Sequence, residues 1–222
     1  MDARQEDAFW ETIRIFRDTG LLPYVMIIGS WAEYIYSYYF KTDYFPNLRT
    51  RDVDILYGNL HKPKTKISIA SALVESGYSY VINPSSGVAK FMKEDLLALE
   101  FLTRAIGSAA QQFYDIPSIA LKAEGLRVIN MLQDYPLEVN CHGYEVRVPE
   151  PAAYVLQKLL ANPTRQPVHK KDKDISAVRA LLVHIKKSET EDRRIRIILN
   201  ELTPKARKII DDVCKNSLIE LI

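Results

Sequence analysis

Apolar positions recur along this chain in two rhythms, and the change between them falls at Pro149. From Asp7 to Thr19, Phe9, Ile13 and Phe16 share one helical face, and Gly20 closes the segment. Tyr24 to Ile28, YVMII, is a short apolar run that reads as a buried strand, ending in Gly29-Ser30. Helical spacing resumes from Trp31 to Phe40. Lys41 to Thr50, with Pro46 and Asn47, reads as a loop. A second strand is expected over Asp52 to Tyr57, then a helix from Lys64 to Ser76 closed by Gly77. Short strands are expected at Tyr78 to Ile82, Val88 to Met92 and Leu97 to Leu102. The stretch from Ile116 to Val148, broken by Pro136 and Gly143, has room for two or three more, with a hairpin turn near His142-Gly143. From Glu150 onward every segment has helical periodicity, with breakers at Pro163, Pro167 and Pro204. The pattern predicts an α/β module over residues 1–148 and a helical module over 149–222.

Composition narrows this picture. A chain of 222 residues with 47% apolar content is long enough to bury one sizeable core. It contains no apolar run long enough to span a membrane, and its N-terminus lacks the order of a secretory signal. A cytoplasmic location and no membrane partner are the expectation. Cys141 and Cys214 stand far apart and outside any Cys/His cluster, which argues against a structural zinc site or a disulfide framework. The net charge is only +2, but Lys158 to Lys208 holds 14 Lys and Arg against 6 Asp and Glu. Such a basic segment is either a solvated helical surface or a face for an anionic partner.

Two short motifs carry candidate chemistry. Glycine at a strand-to-helix turn permits backbone geometry that other residues resist, and Ser30 suits a helix N-cap. A helix start presents free amides and a positive dipole end, so Gly29 and Ser30 suit a triphosphate. Asp52 and Asp54 stand two apart on a predicted strand, which puts both carboxylates on one face. They repel unless a cation lies between them, and Mg²⁺ prefers such hard oxygen ligands. Glu100, a lone acid in the apolar run LALEFLT, is the candidate third carboxylate of a two-metal site. Each motif alone is more often a plain turn, a surface acid or a salt-bridged strand residue. Their order at the ends of successive strands is what points to chemistry. The tyrosine-rich run EYIYSYYF has the aromatics to stack a base, but packing explains it better.

The run IIGSWAEYIYSYYF followed by RTRDVDILY resembles the nucleotidyltransferase superfamily that includes DNA polymerase β. Its form looks closest to bacterial minimal or AbiEii-like nucleotidyltransferases. The tail, PEPAAYVLQKLLANPTR and KKDKDISAV, resembles the helical segment of that group. The resemblance covers about residues 24–182. It implies an α+β fold, a nucleotidyltransferase-type mixed β-sheet with flanking helices, followed by a C-terminal helical module. It also implies transfer of a nucleoside monophosphate from an NTP to an acceptor hydroxyl, with release of pyrophosphate. By that likeness Asp52 and Asp54 bind Mg²⁺, and Gly29 and Ser30 hold the β- and γ-phosphates. Lys158, Lys173 and Asp174 line the nucleotide side of the cleft. The third acid of such proteins is commonly Asp, and Glu100 is assigned by position. The acceptor is an RNA, a protein or a small molecule. The alternative is a catalytically inactive nucleotide- or RNA-binding regulator of a toxin–antitoxin or defence system, with an antitoxin-type protein partner.

Overall fold

The computed structural model describes residues 3–41, 44, 46, 50–106, 112–127 and 129–221. Helix α1 (Ala3–Asp18) buries Phe9, Ile13 and Phe16, the face its periodicity predicts. Strand β1 (Val25–Ile28) is buried at all four positions and runs through Gly29 into α2 (Ser30–Phe40). Strand β2 (Asp52–Tyr57) has the predicted limits. Of the loop expected at 41–50, positions 42, 43, 45 and 47–49 lie outside the described residues. Helix α3 (Ile69–Glu75) is shorter than expected at its start, where Ser68 takes the N-cap position. Residues 64–67 include three polar side chains and have no apolar stripe to bury.

Three further strands follow, β3 (Ser79–Ile82), β4 (Ala89–Lys93) and β5 (Leu97–Arg104). Next comes the hairpin of β6 (Phe113–Ile116) and β7 (Leu121–Leu126). A short helix α4 (Asn130–Asp134) leads into a second hairpin, β8 (Pro136–Cys141) and β9 (Tyr144–Pro149), turning at His142-Gly143 as predicted. The periodicity anticipated neither β6 nor α4. Both are too short, at four and five residues, for a period to register.

The main sheet is mixed, with strand order β1-β2-β5-β4-β3. β1 is antiparallel to β2, β2 parallel to β5, and β4 antiparallel to β5. Strand β5 is central. One edge takes β2, and the other takes β4 along its first half and β7 along its second. A strand covered on both faces and both edges needs a nearly continuous apolar sequence, which LALEFLT supplies except at Glu100 and Thr103.

Helices α5 (Pro151–Ala161), α6 (His169–Ile185), α7 (Glu189–Glu201) and α8 (Pro204–Asn216) complete the fold. The change of rhythm at Pro149 therefore marks the step from β9 to α5. Helix α5 is apolar nearly all round and is accordingly buried on most sides. Its Ala152, Tyr154, Val155 and Leu156 belong to one continuous core with Ile27, Ile55 and Leu99 of the sheet. Ser188 and Thr203 cap α7 and α8, each accepting a backbone N–H three residues on. Among the described residues, no helix is long and apolar enough to cross a membrane.

Candidate active site

A row of register partners crosses the sheet: Ile28 on β1, Asp54 on β2, Glu100 on β5 and Lys90 on β4. Register partners share a face, so the Asp54, Glu100 and Lys90 side chains project together. Asp52 lies two residues from Asp54 on that same face, as alternation requires. The three acids singled out by the sequence are therefore neighbours. Glu100 meets Asp54 only because β2 and β5 pair in parallel, a contact between residues 46 positions apart.

The acids differ in environment. The Asp52 and Glu100 side chains are partly exposed and share one cation. Lys90 Nζ lies 2.9 Å from Asp52 Oδ1 and 2.5 Å from Glu100 Oε1. Partial burial pulls the Lys90 ammonium down, but its bonds to Glu100 and Asp52 outweigh this and raise it above the ordinary lysine value. Asp54 sits deeper. Burial first, then the charges of Glu100 and Asp52, push its carboxyl up to about 6, against a smaller pull from Arg165 and Lys158.

Gly29 makes this packing possible. Its φ of +64° lies where side chains are strained, and a Cβ there would collide with Asp54 Oδ2. Gly29, and not Ser30, occupies the N-cap position of α2; Ser30 is the first helical residue. The expected Ser30 cap is corrected by this backbone, whose turn needs glycine at the junction and carries no side-chain cap bond.

Opposite the acids stands helix α5. Tyr154 and Lys158 are one turn apart and share a face, with Lys158 Nζ 4.9 Å from the Tyr154 ring centre. The Tyr154 hydroxyl lies 2.6 Å from Glu33 Oε1 and 2.9 Å from the Gly29 carbonyl oxygen. Burial first, then Glu33, raises it well above the ordinary phenol value, so it stays a neutral donor. Lys158 is buried. Its Nζ bonds Asp174 Oδ1 at 2.8 Å and approaches Glu33 at 3.9 Å. Arg165 Nε holds the other Asp174 oxygen at 2.9 Å. Two acids and two bases thus alternate across α2, α5, α6 and the turn between the last two, which satisfies charges that would be costly alone.

Between the acid row and α5 lies a cleft of about 490 Å³. Gly29, Asp54, Glu100, Tyr154 and Lys158 line it, as do Glu124, Arg127, Arg165 and Lys170. Ser30, Asp52, Lys173 and Asp174 do not. Lys173 is exposed on α6, and Asp174 is buried against Lys158 and Arg165. The sequence reading missed Lys90, Tyr154, Arg165 and Lys170. The last two fall in the basic run it noted, but Lys90 has no local signal. The tyrosine-rich run is used for packing: Tyr36 donates to the Pro149 carbonyl, and Tyr39 to Glu191. A wider hollow of about 550 Å³ beside α1, lined by Trp10, Lys93 and Tyr144, contains none of the candidate residues.

The donor chemistry suits a hard divalent cation. The Asp54 carboxyl is raised first by burial and then by its acidic neighbours, and among the described residues none donates a hydrogen bond to it. Among those residues, no three His, Cys, Asp or Glu groups are placed to hold an ion by themselves, so a metal here would have to draw further ligands from water and substrate phosphates.

Comparison with known proteins bears on the family and the fold. Among solved structures, the chain is similar to an antigenic nucleotidyltransferase-like protein from Paracoccidioides brasiliensis, at 16% identity over 84% of each chain with a TM-score of 0.45. It is also similar to the antibiotic-resistance factor ANT(2'')-Ia, at 14% identity over 90% of this chain and 94% of that one, with a TM-score of 0.52. At that identity the second likeness shows a shared fold. No curated protein matches. A family model described as nucleotidyltransferase matches residues 8–194, a span that contains the whole acid row and the Lys158–Asp174 pair. The chain belongs to the nucleotidyltransferase family.

Proposed function

We propose that this chain is a Mg²⁺-dependent nucleotidyltransferase that moves a nucleoside monophosphate from an NTP to an acceptor hydroxyl. The observation that carries the reading is the pairing of Asp54 with Glu100, beside Asp52, on one wall of a cleft whose other wall presents Lys158, Arg165 and Lys170. An acid wall facing a basic wall is what a metal–triphosphate substrate requires.

The residues divide the work. Gly29 brings the start of α2 to the cleft, and the helix dipole there favours phosphate. Lys158, Arg165 and Lys170 neutralise the triphosphate and the charge that develops on the leaving pyrophosphate. Asp52, Asp54 and Glu100 would hold the metal. When bound, Mg²⁺ draws phosphate charge onto itself and lowers the pKa of an acceptor hydroxyl. The acceptor oxygen bonds the α-phosphorus as the α–β phosphoanhydride breaks, and its proton passes to a carboxylate, Glu100 or Asp52.

Labelled NTPs incubated with the protein, Mg²⁺ and total cell extract test this reading. Label transfer to an RNA, protein or small molecule with release of pyrophosphate supports it and reveals the acceptor. Nucleotide binding with no pyrophosphate release from any NTP would favour the non-catalytic regulator and its antitoxin-type partner instead.

A further inference from the structure

We propose that the Lys90 ammonium is a built-in second cation of the acid row, so that this chain takes one divalent metal ion where three carboxylates would otherwise take two. The inference rests on the magnesium reading above and goes beyond it by setting the number of ions. Lys90 faces Glu100 directly across the β4–β5 pairing. From there its Nζ reaches both outer acids, 2.5 Å from Glu100 Oε1 and 2.9 Å from Asp52 Oδ1. An ammonium so placed donates a charge-assisted hydrogen bond to each carboxylate. A Mg²⁺ ion held by the same two oxygens would need to lie about 2.0–2.1 Å from each, so ammonium and ion exclude each other at that point.

What Lys90 leaves open is an oxygen on each acid, which one ion would share with water and substrate phosphates. Among the described residues, the Asp54 carboxylate and the second oxygens of Asp52 and Glu100 are not bonded. The charges agree. Three carboxylates carry three negative charges, Lys90 balances one, and a single divalent ion balances the other two. The strand register sets Lys90 opposite Glu100, and its two carboxylate contacts hold the ammonium there. It is a positioning and counter-charge residue, not a group that touches the reacting atoms.

Equilibrium dialysis of the full chain against Mn²⁺ with inorganic tripolyphosphate counts bound metal directly, whatever the base preference. The wild-type chain should bind one Mn²⁺, Lys90→Arg one, and Lys90→Met two. Lys90→Gln gives a second charge-free probe, and thermal unfolding identifies which variants are folded. A wild-type count of two overturns the proposal, and so does a count of one in a folded charge-free variant. Both outcomes leave the magnesium reading standing. No Mn²⁺ bound by any of the proteins overturns that reading, and the role of Lys90 with it.

Discussion

The Asp54 carboxylate occupies the space in which a side chain on Gly29 would begin. Two elements distant in function, a turn and a strand, are thereby made to depend on one missing Cβ. Gly29 has φ +64° and ψ −153°, a region open in practice to glycine alone. Replacement by Ala meets both backbone strain and the collision with Asp54. Gly29→Ala should lower stability by about 2–3 kcal/mol, measured by urea denaturation, and should abolish pyrophosphate release. Gly143→Ala is the control, because Gly143 has φ +78° but open space around it. It should cost about 1 kcal/mol and leave activity intact. Equal losses in the two variants would contradict the close approach.

Asp54 should make the metal-free chain less stable as pH rises. Its carboxyl is pushed up to about 6 from 3.8, first by burial and then by Glu100 and Asp52. A raised value means that the folded state holds the proton more tightly than the unfolded one. The associated stability is fully present below about 3.8 and is lost as pH climbs through about 6. Above that, the ionised group costs on the order of 2–3 kcal/mol. In EDTA, Asp54→Asn should therefore be more stable than wild type near neutral pH, with the advantage vanishing in acid. The same variant should show no transfer activity. Lower stability of Asp54→Asn in EDTA near neutral pH would mean that unseen contacts hold the carboxylate.

Lys158 should matter to stability as well as to substrate. It is buried against Asp174 and near Glu33, so Lys158→Met strands charge in the interior. A loss of about 3 kcal/mol is expected. Lys158→Met with Asp174→Asn should recover part of it, since the acid that has lost one of its two cations is gone. Chemical denaturation of the two single variants, Lys158→Met and Asp174→Asn, and of the double variant reads this directly. No recovery in the double variant would show that the pair is not energetically coupled.

Lys170 and Lys173 should behave differently although they are three residues apart. Lys170 lines the cleft, and Lys173 is exposed outside it. Lys170→Ala should raise the KM for NTP by about 5–10-fold, equivalent to about 1–1.4 kcal/mol. Lys173→Ala should change it by less than about twofold, within what an exposed charge contributes. Steady-state kinetics would reverse this assignment if Lys173→Ala carried the larger effect.

Much of this was legible in the sequence, for physical reasons that differ by residue. The limits of β2 could be read because DVDILY is apolar after its acids and follows a loop. The turn at His142-Gly143 could be read because glycine there relieves a left-handed backbone. The acid pair Asp52 and Asp54 could be read because strand alternation is a local rule. Helix α4 and strand β6 could not, since five and four residues contain too little of a period. The placing of Ser30 as a cap was wrong because the competing demand came from Asp54, a residue 25 positions from Gly29.

By itself the sequence determined what obeys local rules: which segments bury an apolar face, where the chain turns, and that two carboxylates stand on one side of one strand. Glu100 stood out in the sequence as a lone acid in an apolar run and was set with Asp52 and Asp54 by position, without a register to pair them. Only the tertiary structure decided that β2 and β5 pair in parallel with Asp54 beside Glu100, and that β4 enters the same row with Lys90. Strand register is set by the packing of whole faces, not by any residue in the pair. It likewise took the packing of α5 against α6, beside the start of α2, to bring Lys158 to Asp174 and Glu33, and the course of α6 to put Lys170 in the cleft and Lys173 outside it.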